Sequence, residues 1–146
     1  MKRKTLYTCQ RGAAGLEFAL VFPLLLLVVF GIIEFATIFY NKAVLTNASR
    51  EGARVGVLYR TDADKNRLDP DPTEIKNTII NYCSTNLINY NGNAVLTAGD
   101  IPAPTWDDDY LTVTVNLPYG FLVLPNFIGG SPTLTISAQT IMRRES

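Results

Sequence analysis

Apolar and polar residues are unevenly distributed along this chain. Residues 18–33 read FALVFPLLLLVVFGII and carry no charge. A helix over them would be about 24 Å long, short of a hydrocarbon core of about 30 Å. Extended from Ala13 to Tyr40, with only Glu17 and Glu34 interrupting, it reaches about 42 Å. That predicts one transmembrane helix. Pro23 lies inside it and removes a backbone donor, which predicts a kink or local loosening. Beyond Glu34 the helical spacing continues. Ile38, Leu45, Ala48, Gly52, Val55 and Tyr59 form one stripe rich in small residues, opposite Asn47, Arg50, Glu51 and Arg54. Such a stripe needs a closely packed partner, either another subunit or, more simply, the chain's own domain.

The remainder alternates between loops and short elements. Residues 61–72 (TDADKNRLDPDP) read as a loop, and Thr73 is the expected cap of a second helix running to about Ile88. Its inward positions would be Ile75, Ile79, Tyr82 or Cys83, and Leu87. Asn91-Gly92-Asn93 predicts a turn, residues 94–96 a short strand, and Pro102 and Pro104 an irregular connection. Two strands close the chain. Over 109–117, Leu111, Val113, Val115 and Leu117 alternate with Tyr110, Thr112, Thr114 and Asn116; over 133–142, Leu134, Ile136 and Ala138 alternate with Thr135, Ser137 and Gln139. A strand pair is marginal alone and would lay its apolar face on the long helix. Between the strands, residues 119–128 (YGFLVLPNFI) are too apolar for a solvated connection. They would fold back on the core, or meet the membrane or a partner. The expected fold class is α+β: a long N-terminal transmembrane helix packed on a small antiparallel sheet with a second helix.

Charge gives the helix a direction. The chain is neutral overall, but residues 1–12 carry +4 from Lys2, Arg3, Lys4 and Arg11, and the rest carries −4. Basic residues before an apolar helix hold that end in the cytoplasm, which would place the body outside. The acidic bias of the body argues against nucleic acid as a partner. A secretory signal peptide fits poorly, because the apolar run exceeds its usual 7–15 residues and ends in Gly-Ile-Ile-Glu-Phe. Cys9 and Cys83 would fall on opposite sides of the membrane, so Cys83 is either a small buried hydrophobe or free to bridge to another chain.

Little points to catalysis. The 146 residues include no histidine, and neither a nucleophile elbow nor a phosphate loop appears. Asp107-Asp108-Asp109 lacks the spacing of a calcium loop and reads as a solvated turn. No catalytic residue, metal ligand or cofactor is expected, and an anchored hydrolase is a remote alternative.

Glu17 is the anomaly, since a carboxylate inside an inserting helix costs roughly 2.5–3.5 kcal/mol on insertion scales. A newly freed α-amino group on a neighbouring chain could neutralise it. Basic residues, Gly12, four residues and Glu17 at the head of an apolar helix resemble the type IV prepilin arrangement. Glu17-Phe18-Ala19, Pro23 among leucines, Gly31 before Glu34-Phe35, and residues 47–54 (NASREGAR) extend the likeness over residues 11–54, which resemble the TadE-like domain of tight-adherence (Tad) pilus systems. The resemblance implies a pilin-type helix and a minor pseudopilin role. It implies a basic prepilin leader (1–12) held by Lys2, Arg3, Lys4 and Arg11, cut by a prepilin peptidase between Gly12 and Ala13. Glu17 would then serve peptidase recognition and assembly. A transmembrane helix (13–40) and an extracytoplasmic α+β domain (41–146) would follow, with the helix continuing to about residue 60. Implied partners are the bacterial inner membrane, the peptidase, other pilins or pseudopilins and the assembly platform, with possible incorporation in an extracellular pilus. The alternative is an uncleaved, single-pass, membrane-anchored periplasmic binding module.

Overall fold

The computed structural model describes residues 10–58, 63–64, 70–90, 92–122 and 133–144, with side chains from residue 14 onward. Helix α1 (Gln10–Val57) is followed by helix α2 (Pro72–Asn86), a 3-10 turn (Ala98–Asp100) and strands β1 (Thr105–Asp107), β2 (Tyr110–Gly120) and β3 (Thr133–Arg143). The strands form one antiparallel sheet in the order β1-β2-β3. The fold is therefore α+β, with the long helix packed against a small antiparallel sheet and a second helix.

Helix α1 spans 48 residues and is unbroken through Pro23. Its first half is apolar and exposed, and Ala14–Val57 is long and apolar enough to cross a membrane. Its second half is the spine of the domain. Leu45, Ala48, Ala53 and Val57 enter a common core with Ile75, Ile79 and Cys83 of α2 and with Leu111, Val113, Val115, Leu117 and Tyr119 of β2. Burying each Leu, Ile or Val side chain of this set contributes roughly 1.5–3 kcal/mol relative to leaving it exposed. The small-residue stripe thus packs on the chain's own domain. A Cβ on Gly52 would lie 2.6 Å from Ile79 Cγ1, and one on Gly56 would collide with Leu111 Cδ2 and lie 2.9 Å from Ile75 Cδ1.

Several boundaries differ from the sequence reading. The helix stops at Val57 rather than near 60, and Tyr59 lies outside the described residues. Asp71, not Thr73, caps α2: its Oδ1 accepts the Thr73 N–H at 2.8 Å, and Pro72 takes the first helical position, where no donor is needed. The helix ends at Asn86, two residues before the expected Ile88. Ala94 makes a single bridge to Tyr119 rather than a strand, and Gly92 turns with φ +85°. The connection through Pro102 and Pro104 is irregular, as expected, and is followed by β1, which was not expected because its three residues are too few to show a period. β2 runs on to Gly120, so Tyr119 is a fully buried strand residue, not part of a loop. Phe121 and Leu122 are half-buried, and the rest of that apolar stretch falls outside the described residues. Asp107 closes β1, and Asp108 (φ +50°) and Asp109 form the exposed hairpin turn into β2.

Cys83 is buried, and desolvation pushes its thiol from about 9 up to about 11. In intact protein at pH 8 it should react with a water-soluble maleimide far more slowly than in urea. Because the folded thiol keeps a proton that the unfolded one loses, its effect on stability should decline as pH rises from about 9 through about 11. Gly56→Val should destabilise the domain by about 1–3 kcal/mol, read by urea unfolding in detergent, because the added methyls press on Leu111 and Ile75.

Candidate functional site on the N-terminal helix

Helix α1 carries two carboxylates in its apolar half, in opposite environments. Glu17 is exposed and flanked by exposed Leu16 and Phe18. Glu34 is buried, with 1% of its surface exposed. They stand seventeen positions apart, about 25 Å along the axis.

Glu34 lies where the helix meets the domain. Its Oε1 accepts the Tyr119 hydroxyl at 2.9 Å, and the Leu122 backbone N–H reaches Oε1 at 3.0 Å and Oε2 at 3.1 Å. Burial first, and then the adjoining Glu34 carboxylate, push the Tyr119 phenol well above its ordinary range, so it stays protonated and remains a donor. The chain leaving β2 is thereby tied to α1. The ring of Tyr119 meets Phe121 edge-on at 6.0 Å. The far side of the same strand end is held by Asn93, whose carbonyl accepts the Gly120 N–H at 2.7 Å and whose Nδ2 donates to the Gly120 carbonyl at 3.2 Å.

Further polar groups on the same side of α1 repeat the pattern. Asn41, fully buried, donates through Nδ2 to the Ile88 carbonyl and accepts the Ile88 N–H at Oδ1, both at 2.9 Å, as a paired strand residue would. Lys42 donates to the Ser137 carbonyl, and Ser49 Oγ pairs with Thr140 Oγ1 at 2.7 Å. Thr37, also buried, returns its hydroxyl to the Ile33 carbonyl at 3.0 Å. Glu34, Asn41 and Ala48 are seven residues apart, so the spacing that marks the buried stripe also marks these two polar residues. That periodicity was the signal available in the sequence. Asn47, Arg50 and Arg54 are exposed, and Arg54 Nη2 pairs with Glu51 Oε1 at 2.6 Å, which holds that carboxyl below its usual value.

The residues expected to form a processing site are placed less fully. Arg11, Gly12 and Ala13 have helical backbone in the first turn of α1, while Lys2, Arg3 and Lys4 lie outside the described residues. Glu17 stands about one turn further along the same helix.

Together these features define, among the described residues, one membrane-length N-terminal helix whose distal half is built into a small α+β domain. Residues 12–54 match the family model described as TadE-like protein. The match begins at Gly12 and ends at Arg54, covering both carboxylates and Asn41. Comparison with curated proteins and with solved structures gave no match. A TadE-like segment on a single membrane-length helix fits a membrane protein associated with a Tad-type pilus.

Removing the Glu34 carboxylate takes an acceptor from the buried Tyr119 hydroxyl and from the half-buried Leu122 N–H. Glu34→Ala should therefore lower stability by about 1–3 kcal/mol for each donor left unpaired. Tyr119→Phe, which removes one hydrogen bond and leaves the carboxylate its backbone partner, should cost less. Urea unfolding in detergent, followed by Trp106 fluorescence, checks the order of the two.

Proposed function

We propose that this protein is a minor pseudopilin of a Tad-type pilus. In this reading it is inserted in the bacterial inner membrane, trimmed by a prepilin peptidase between Gly12 and Ala13, and assembled with other pilins or pseudopilins. The observation that carries the reading is the TadE-like match starting at Gly12, with Glu17 as the fifth residue after the cut. Gly12 gives a peptidase close access to the backbone. Lys2, Arg3, Lys4 and Arg11 keep the leader cytoplasmic and the domain periplasmic.

The role of Glu17 follows from its surroundings. It is exposed among apolar side chains, a costly position in lipid unless a cation meets it. The α-amino group freed on Ala13 of a neighbouring subunit supplies that cation, and the pair gains most where water is excluded and geometry is good. The domain serves as a contact surface in this role, and no cofactor or nucleic acid takes part.

Protein isolated from membranes that contain the peptidase should begin at Ala13 on N-terminal sequencing, and Gly12→Val should leave the leader in place. Met1 retained in such cells would overturn the pseudopilin reading and leave an uncleaved anchored module. Glu17→Ala should insert normally yet fail in pilus assembly; normal piliation would remove the pairing argument.

A further inference from the structure

The lipid-facing side of α1 is longer than its uncharged run. Between Glu17 and Glu34 the chain offers sixteen uncharged residues, about 24 Å of helix, against a hydrocarbon core of about 30 Å. Glu34 ends that run in the sequence but not on the surface, because it is 1% exposed and both carboxylate oxygens accept hydrogen bonds from the domain. Thr37 and Asn41 are also buried on the domain side. The outward positions over the same turns are Ile32, Phe35, Phe39 and Tyr40, with Phe35 57% and Phe39 71% exposed. The first charged side chain after Glu34 is Lys42. The outer face of α1 therefore carries no charge from Phe18 to Tyr40, about 34 Å, which matches the hydrocarbon core and the start of the headgroup region.

We propose that the face formed by Phe35, Phe39 and Tyr40 is a lipid-docking surface, which sets the bilayer boundary beyond Glu34 and seats the Glu34 end of the domain in the outer leaflet. This rests on the reading of α1 as membrane-inserted. Lipid is the occupant because the face continues the exposed surface of the span without a break. It also ends in Phe39 and Tyr40, and aromatic side chains with a polar tip, such as Tyr40, settle at the headgroup level. The clasp on Glu34 makes this depth possible. Tyr119 and the Leu122 N–H supply hydrogen bonds that lipid cannot, so a carboxylate at that depth does not pull water or a bilayer defect toward it.

The test places single tryptophans on the full chain in phosphatidylcholine vesicles. Trp106 is the sole native tryptophan and is replaced by Phe. Phe30→Trp, Phe39→Trp and Asn47→Trp are then compared in vesicles with brominated acyl chains. The expected result is a loss of fluorescence at positions 30 and 39 and none at 47, with only position 47 open to an aqueous quencher. Position 39 behaving like 47, while 30 is quenched, overturns this proposal and leaves the insertion of α1 standing. Absence of quenching at 30 overturns the insertion itself. A nitroxide on Phe39→Cys, in a Cys9→Ser background with Trp106 kept, repeats the measurement by its collision rates with oxygen and with a water-soluble nickel chelate. Shielding of that nitroxide from both, together with cross-linking of the introduced thiol to a second copy, would assign the face to a neighbouring chain and reject lipid.

Discussion

The structure depends on one rod having to satisfy two solvents. Helix α1 is continuous, so apart from the donor missing at Pro23 its backbone groups bond within the segment, as a segment in hydrocarbon requires, and its exposed half, Glu17 excepted, suits apolar surroundings. Its other half must present enough recognition to organise a domain of fewer than a hundred residues. Glu34 stands where the two demands meet. Facing outward, it would end the apolar surface two turns early; facing the domain, it becomes the acceptor on which the end of β2 is built.

The domain is assembled on the helix rather than beside it. Among the described residues the sheet has three strands, one of them only three residues long, and its apolar face would be left wet without α1. Glycines at 52 and 56 bring the backbone close enough for Ile75, Ile79 and Leu111 to reach it. Apolar packing of this kind fixes proximity but tolerates sliding, and the polar contacts remove that freedom. Glu34 fixes the end of β2, Asn41 the exit from α2, and Lys42 and Ser49 the edge of β3.

The long helix, the second helix and the paired strands were legible because their apolar periods are sustained over many residues. Strand β1 was not, since Thr105-Trp106-Asp107 is held by pairing with Tyr110 to Thr112 rather than by any pattern of its own. The Asp71 cap was missed because Thr73 is also a capping residue by type; Pro72, which suits the first helical position, decides for Asp71. The proposed processing motif is a linear signal at the head of the helix, so its reading draws on residue order and not on the fold. The Glu34 clasp could not be read that way, because its partners lie 85 and 88 residues away and one of them is a backbone amide. Sequence alone cast Glu34 as a break in the apolar run, whereas the fold makes it the condition for continuing that run.

The spacing of the fastenings along α1 has a mechanical consequence. Glu34, Asn41, Lys42 and Ser49 attach three separate parts of the domain at successive heights on one rod. A pull along the axis, such as drawing the anchor out of the bilayer, would load these bonds side by side in shear rather than peel them one after another. Head and shaft would then travel together as a single piston.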